Sequence, residues 1–192
     1  MDNSYFAASA VLVISTLFDL YIMAIMLRLL FQMLRADFHN PISQFLVKIT
    51  NPPLVPLRRI IPGLGGIDLA SVLLMLALGI IELALINLAQ GHAFQFSGLT
   101  VMTLANLIAL LLNVFLIAII IQVILSWVGP GAHNPMTSLL YTLTTPVLRP
   151  AQRIIPAIGG FDLSPIVALL AIQLLKILVV APIADIARSL GA

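Results

Sequence analysis

A long polar segment occurs twice in this chain, at a constant offset of 94 residues. The first copy, HNPISQFLVKITNPPLVPLRRIIPGLGGID, spans 39–68, and the second, HNPMTSLLYTLTTPVLRPAQRIIPAIGGFD, spans 133–162. Sixteen of the 34 positions from 38 to 71 are identical to their counterparts at 132–165, without a gap. A repeat of this length predicts two copies of one structural unit, each contributing the same elements to the fold.

Apolar sequence flanks both polar copies. The chain is 61% hydrophobic and 8% charged, whereas a soluble domain is about 25% charged. Four stretches reach the roughly 20 apolar residues that a membrane-spanning helix needs, and they cover about 11–34, 69–89, 99–128 and 163–182. The sequence therefore predicts an all-α membrane protein with four transmembrane helices.

The offset divides the chain into two repeats and a linker. The first repeat is predicted at 1–90 with its loop at 35–68, the linker at 91–98, and the second repeat at 99–192 with its loop at 129–162. Because each repeat contains two spans, both repeats enter the membrane from the same side and are parallel, not inverted. Both loops are therefore expected on one face of the bilayer.

Basic residues indicate which face this is. The linker and the N-terminal tail contain no Lys or Arg, and the C-terminal tail contains only Arg188. The loops contain six basic residues: Arg35, Lys48, Arg58, Arg59, Arg149 and Arg153. Since basic loops stay in the cytoplasm, we expect a multi-pass protein of the bacterial inner membrane with both termini outside. No basic region precedes the first apolar run, so we expect that run to remain as a span and not to be cleaved.

Each loop is predicted to begin with a short amphipathic helix at the membrane interface. Asn40 and Asn134 each precede a proline, a combination typical of an N-cap followed by the first helical residue. Apolar residues then follow at helical spacing, as in Ile42, Phe45, Leu46 and Ile49. A helix of this kind beside a span lies most simply in the interface. The prolines that follow Thr50 and Thr144 are expected to end it.

The second half of each loop is predicted to be a proline-stiffened return to the membrane. It ends with a glycine pair, Gly65 and Gly66 in the first copy and Gly159 and Gly160 in the second. Glycine permits a positive φ or a close backbone approach. The aspartates that follow, Asp68 and Asp162, are predicted N-caps of the second and fourth spans.

These motifs resemble the YggT family of small membrane proteins, also called YlmG. The resemblance rests on paired copies of NP-x(8)-T-x-P-x(3)-P-x(2)-R-x-I-P-x(2)-GG-x-D and on LSW at 125–127. The first copy has FQM in place of LSW, and Arg28 matches an arginine of the family where the second copy has Gln122. The resemblance implies a two-repeat member, and family roles in division, membrane-complex assembly or osmotic and envelope stress. It implies no reaction.

Charged residues inside the predicted spans are the strongest candidates for a site within the membrane. The offset relates Asp19 to Asn113 and Glu82 to Lys176. Glu82 and Lys176 both lie about 21 Å beyond their predicted caps, at a depth where a lone charge costs roughly 2.5–3.5 kcal/mol or more. An ion pair of Lys176 with Glu82 or Asp19 would relieve this cost and dock the repeats. The alternatives are an ion or proton path, snorkelling, or pairing with a partner protein.

The arginines near the loops have a different set of interpretations. Arg28 is expected either to snorkel to cytoplasmic headgroups or to cap carbonyls of its own loop. The loop arginines, together with the glycine pairs, are candidates for binding anionic lipid headgroups or partner proteins. Arginine-to-carbonyl bonding is the structural alternative. The predicted aspartate caps disfavour a phosphate site, because they would repel an anion.

No residue set in the sequence favours an enzyme. The chain has no cysteine and three histidines, and we expect no cofactor, no metal site and no catalytic residues. Nine Lys and Arg residues in 192 are too few for nucleic-acid binding. The leading hypothesis is a scaffold or assembly factor that binds anionic lipids, partner membrane proteins or itself through the duplicated loops. The alternative is a small oligomeric ion transporter or channel that uses Asp19, Glu82 and Lys176.

Overall fold

The structure is a computed structural model that describes residues 3–128, 134–155 and 162–192. Its helices follow the order predicted for two repeats. They are α1 (Asn3–Met33), α2 (Pro41–Ile60), α3 (Leu69–Gln90), α4 (Phe96–Val128), α5 (Pro135–Ile154), α6 (Ser164–Leu175), a π-helical segment (Lys176–Val180) and α7 (Ala181–Ser189). Four stretches are long and apolar enough to cross a membrane: Tyr5–Met33, Leu69–Gln90, Phe96–Trp127 and Ser164–Ser189. The predicted all-α fold class with four spans is confirmed.

The outer ends of the spans extend further than the sequence predicts. Helix α1 begins at Asn3 and α4 begins at Phe96, so that α4 takes up the end of the predicted linker. The fourth span does not end near Pro182 but continues to Ser189. Pro182 has no N–H with which to bond the Leu178 carbonyl, and the π-helical segment immediately before α7 absorbs this break in the hydrogen-bond ladder.

Helices α2 and α5 correct the prediction of a short amphipathic helix that ends at the prolines. Each has 20 residues and runs through its internal prolines. The reason is a buried stripe that continues past them. In α2 the stripe consists of Leu46, Thr50 and Leu54, whereas Pro52 and Pro56 lie on the exposed side. The prolines therefore do not disturb the packing of the buried stripe, and the helix continues through them.

The helices form one bundle in which each span packs first within its own repeat. Helix α1 packs on α3, and α4 packs on α6 and α7. The repeats are joined by contacts of α3 with α4 and by a core in which Ile25, Met75 and Val114 are buried. The α3–α4 contact is very close, because a Cβ atom at Gly79 would lie 2.6 Å from Cγ2 of Thr103. Gly79 thus allows the close helix approach that the sequence predicts.

Helices α2 and α5 lie together at one end of the bundle. They contact each other, and the Asn40 side chain donates from Nδ2 to the Pro135 carbonyl oxygen at 2.6 Å. At the opposite end, the backbone N–H of Gln95 donates to the Gly191 carbonyl oxygen at 2.9 Å. The two polar segments therefore share one end, as expected for parallel repeats, and the linker shares the other end with the C-terminus.

Candidate functional site

A buried side-chain contact ties each polar helix to the preceding span. In the first repeat, Arg28 is only 5% exposed, and its Nη1 donates to Oγ1 of Thr50 at 2.6 Å. In the second repeat, the hydroxyl of Thr144 donates to Oε1 of Gln122. The offset of 94 relates both pairs. Arg28 therefore ties the span to its own polar segment, as the second interpretation expected, but it does so through a hydroxyl group and not through a carbonyl group.

A further contact in the first repeat satisfies a carbonyl group that a proline leaves free. Pro53 has no N–H to bond the Ile49 carbonyl oxygen four residues earlier. The Tyr21 hydroxyl on α1 donates to that oxygen at 3.2 Å. The second repeat has Val147 at the position of Pro53 and Phe115 at the position of Tyr21. Valine keeps its N–H, so no hydroxyl group is required there.

The return to the second span is held by a pair at residues 58 and 68. Arg58 donates from Nε to Oδ2 of Asp68 at 3.0 Å, and the Ser71 hydroxyl donates to the same oxygen at 2.5 Å. In the second repeat, Gln152 donates to Oδ2 of Asp162 at 3.0 Å. Arg58 is thus engaged within the chain by a carboxylate, and its role in lipid binding stays a prediction.

Burial by itself raises the pKa of Asp68. Hydrogen bonds from Arg58 and Ser71, together with the charge of Arg58, outweigh burial and hold that pKa below its ordinary value. Burial is also the largest single effect on the pKa of Asp162 and raises it, but the hydrogen bonds from Ser164 and Gln152 together outweigh burial and lower that pKa. Both carboxylates are therefore held in the charged form.

The predicted caps are confirmed for the polar helices and corrected for the spans. Asn40 accepts from the N–H of Ile42 at 2.9 Å, and Asn134 accepts from the N–H of Thr137 at 2.8 Å. Asp68 occupies the N-cap position of α3, but its side chain makes no capping bond, because Arg58 and Ser71 engage it.

In the second repeat the cap position belongs to Leu163. Asp162 lies one residue earlier, and its Oδ1 accepts from the N–H of Ser164 at 2.8 Å. The aspartate therefore still satisfies an N–H of the first turn, although the predicted cap position is wrong by one residue.

The first glycine pair forms a tight turn. Gly65 and Gly66 have φ values of 60° and 87°, and Leu64 and Ile67 exchange two backbone hydrogen bonds at 3.0 and 3.1 Å across them. Two successive positive φ values are typical of a type I′ turn, which favours glycine at both positions. The prediction of positive φ is confirmed here. The second pair, Gly159 and Gly160, lies outside the described residues, as does His133.

The outer surface of α2 and α5 combines basic and bulky apolar side chains. Arg59, Arg149 and Arg153 are exposed, in contrast to Arg58. Large apolar side chains on the same helices are also exposed, with Ile60 at 80% and Ile154 at 72%. An amphipathic surface of this composition suits a membrane interface, where apolar side chains enter the acyl region and arginines contact headgroups.

An apolar cavity of about 360 Å³ opens beneath this surface, between the two repeats. Its wall includes Phe45 of α2, Met136 of α5 and Leu110 of α4, and it reaches Asn113 in the middle of α4. Such a cavity can take an acyl chain, since its lining is almost entirely hydrocarbon.

A polar cavity of about 420 Å³ opens between the spanning helices α1, α3 and α4, near the middle of α1 and α3. Both intramembrane acids, Asp19 of α1 and Glu82 of α3, line it. Three polar residues of α4 complete it: Thr103, Asn106 and Asn113. The Thr103 side chain is 1% exposed, and its hydroxyl has no hydrogen-bond partner within the described part of the chain.

The predicted ion pair of Lys176 with Glu82 or Asp19 does not form. The ion pairs of the described residues are His39–Asp37, Arg58–Asp68 and Arg188–Asp185. Lys176 instead donates to Oδ1 of Asn113. The physical reason is that each span packs mainly within its own repeat, so Lys176 on the π-helical segment faces α4 and not α3.

The sequence already held the signal for this pairing. Positions 19 and 82 contact one cavity in the first repeat, and their counterparts 113 and 176 meet in the second. Positions that the offset relates thus have equivalent neighbours, and these contacts form within each repeat and not between the repeats. Thr103 was missed, because a lone threonine in an apolar helix carries no distinguishing pattern. In the described residues, no group of three or more His, Asp and Glu side chains could hold a metal ion.

The profile of the CCB3/YggT family matches two segments, 7–89 and 101–183. These segments differ by the same 94 residues as the internal repeat and together cover most of the chain. The chain belongs to the CCB3/YggT family. This membership confirms the family resemblance and the division into two repeats.

Relatives in the CCB3/YggT family match along most of their length. An uncharacterized protein of Pseudomonas aeruginosa is 43% identical over 174 residues, covering 90% of this chain and 88% of the relative. One from Vibrio alginolyticus is 46% identical over 162 residues, or 83% and 87% of the two chains. The YggT protein of Escherichia coli K12, also named as uncharacterized, is 38% identical over 85% of each chain. No solved structure matches significantly.

Proposed function

We propose that this chain is a non-enzymatic organiser in the bacterial inner membrane, with both termini outside and with α2 and α5 at the cytoplasmic face. There the two helices bind anionic lipid headgroups and position partner membrane proteins. The setting that the family resemblance implies is division or osmotic and envelope stress. The names of the relatives supply no function, so the proposal rests on geometry.

One observation carries the proposal: two equivalent helices are anchored from beneath and expose basic and apolar side chains above. Arg28 and Gln122 anchor them through buried hydrogen bonds, while Arg59 and Arg153 remain exposed at equivalent positions. A surface that is already rigid loses little entropy when it binds. Each exposed arginine adds about 1 kcal/mol of attraction to an anionic leaflet, and the apolar cavity below offers a place for an acyl chain.

The proposal is tested by native co-purification with mass spectrometry of both lipids and proteins. The test variant is Arg59→Gln with Arg153→Gln. Arg188→Gln is the matched control, because Arg188 is exposed on α7, away from α2 and α5. We expect enrichment of anionic phospholipids and of co-purifying proteins to fall in the double variant and to persist in the control. An unchanged set of lipids and proteins in the double variant would refute the proposal.

A second candidate function is a small oligomeric ion transporter or channel. It is favoured by the observation that Asp19 and Glu82 line one cavity between the spanning helices. Four spans seldom enclose a pore alone, so transport would require several subunits. Cation flux into proteoliposomes, compared between the wild type and Glu82→Gln, tests this candidate. It fails if the wild type carries no flux above protein-free vesicles.

A further inference from the structure

The two acidic positions of the polar cavity differ from their counterparts in the second repeat by charge. In the second repeat the two equivalent positions hold Asn113 and Lys176, whose side chains form a hydrogen bond. In the first repeat they hold Asp19 and Glu82. The second repeat therefore contains a cation of its own, whereas the first presents two carboxylates and no cation at the same place.

The first repeat's carboxylates lack a counter-ion within the described residues. Neither Asp19 nor Glu82 takes part in an ion pair there, and Lys176 is not among the residues that line the cavity. Glu82 is only 9% exposed and lies eight residues, or about 12 Å, from the end of α3. A buried carboxylate in a membrane span is costly unless a cation or a proton neutralises it.

A second feature also indicates a ligand. The Thr103 hydroxyl is buried in the wall of the cavity, and within the described chain it has no hydrogen-bond partner. Leaving a buried hydroxyl unpaired costs about 1–3 kcal/mol. Hydroxyl, amide and carboxylate oxygens are the ligands that hard cations prefer. Thr103 and Asn106 thus add two neutral side chains with oxygen atoms to the cavity that the two carboxylates line.

We propose that this cavity binds a monovalent alkali cation between Asp19 and Glu82, with oxygen atoms of Thr103 and Asn106 as further ligands. The bound ion takes the place that the second repeat fills with the ammonium group of Lys176. A monovalent ion fits that equivalence, because the counterpart also carries a single positive charge. The inference is independent of lipid docking at α2 and α5, and it does not require that the ion cross the membrane.

The test exchanges the first site for the second. Asp19→Asn with Glu82→Lys rebuilds the Asn113–Lys176 pair in the first repeat and supplies an internal cation. Thermal unfolding of the detergent-purified protein is followed by size-exclusion chromatography, because the chain has no cysteine for thiol-reactive dyes. Sodium, potassium, calcium and choline chlorides are compared at equal ionic strength. Asp185→Asn, which removes an exposed acid on α7, is the control.

We expect sodium or potassium to raise the unfolding temperature of the wild type by roughly 5 °C over choline. The control should keep this response, and the exchanged variant should lose it. The single variant Glu82→Gln is examined in parallel, so that a poorly folding double variant does not decide the test. The proposal is overturned if sodium, potassium and choline give the same unfolding temperature, if calcium alone stabilises, or if Glu82→Gln keeps the full response.

Discussion

Two side-chain contacts attach each polar helix to the bundle, and the two repeats build these contacts from different residues. Arg28 and Arg58 serve in the first repeat, while Gln122 and Gln152 occupy the equivalent positions in the second. In each case the partner is the same residue type, a threonine or an aspartate. The hydrogen-bonded positions were retained while the charge was not, although the threonine accepts in the first repeat and donates in the second. The anchoring role therefore depends on reach and hydrogen bonding more than on charge.

The membrane-embedded positions show the opposite behaviour. There the first repeat has two acids, and the second has an amide and an amine in contact. Glutamine can take the place of an arginine anchor while the contact is kept, but a reversal of charge within a membrane changes what each repeat can bind. The comparison therefore separates positions that hold the fold together from positions at which the repeats have specialised.

The largest expected effect comes from exchanging the helix contact at residue 79. Gly79 packs against Thr103, whereas its counterpart Gln173 is exposed. Gly79→Gln forces α3 away from α4, because even a Cβ atom would lie 2.6 Å from the Thr103 methyl group. We expect a loss of about 3 kcal/mol or more, measured by thermal unfolding in detergent. The reverse change, Gln173→Gly, should cost about 1 kcal/mol; equal effects of the two changes would show that the repeats pack alike.

Removing the arginine anchor should have the next largest effect. Arg28→Ala deletes a charged, buried hydrogen bond to Thr50 and should cost about 2–3 kcal/mol. Arg28→Gln copies the second repeat and should cost less than about 1 kcal/mol. Thermal unfolding of both variants checks this ranking. If Arg28→Gln is as destabilising as Arg28→Ala, the charge is essential and the two anchors are not equivalent.

Acid should weaken the first repeat's return to the membrane more than the second's. Because the pKa of Asp68 is lowered by folding, its charged form contributes stability that is complete above about pH 4. This stability is lost as the pH falls through the folded pKa. Asp68→Asn should remove about 1–2 kcal/mol at neutral pH and reduce the acid sensitivity. Asp162→Asn should do less, since Asp162 is exposed. The prediction is contradicted if the wild type and Asp68→Asn lose the same stability between pH 7 and pH 3.

The smallest effect concerns the tyrosine that compensates for a proline. Tyr21→Phe removes the hydroxyl group from the Ile49 carbonyl oxygen and should cost about 1 kcal/mol. Adding Pro53→Val restores the N–H, as the second repeat does with Phe115 and Val147. A double-mutant cycle should therefore show that the pair recovers most of the loss. Additive effects would mean that the hydroxyl group and the proline are unrelated.

Most of the fold followed from the sequence, because its signals are long and duplicated. Four apolar runs and a constant offset were enough to predict four spans, two parallel repeats and polar segments at one end. The course of α2 was not predictable from its prolines. A proline disfavours helix locally, but here the buried stripe through Leu46, Thr50 and Leu54 outweighs that local preference.

The candidate sites were predicted as residues and not as partners. Asp19, Glu82, Lys176 and Arg28 were identified from charge within apolar sequence, and all four lie in the spanning helices. Their contacts depend on which helices pack together, which composition does not reveal. Neighbouring residues of a helix point about 100° apart, so Arg58 can contact Asp68 while Arg59 is exposed. Which of the two faces the bundle depends on how α2 packs, and the sequence does not reveal this.

The relative association of spin-labelled lipids with the reconstituted protein tests the proposed function most directly. We predict that the wild type prefers phosphatidylglycerol over phosphatidylcholine by roughly fivefold or more, and that salt weakens this preference. In Arg59→Gln with Arg153→Gln the preference should fall close to one, while Arg188→Gln should keep it. Equal association of the two lipids with the wild type, or a full preference in the double variant, would contradict the account.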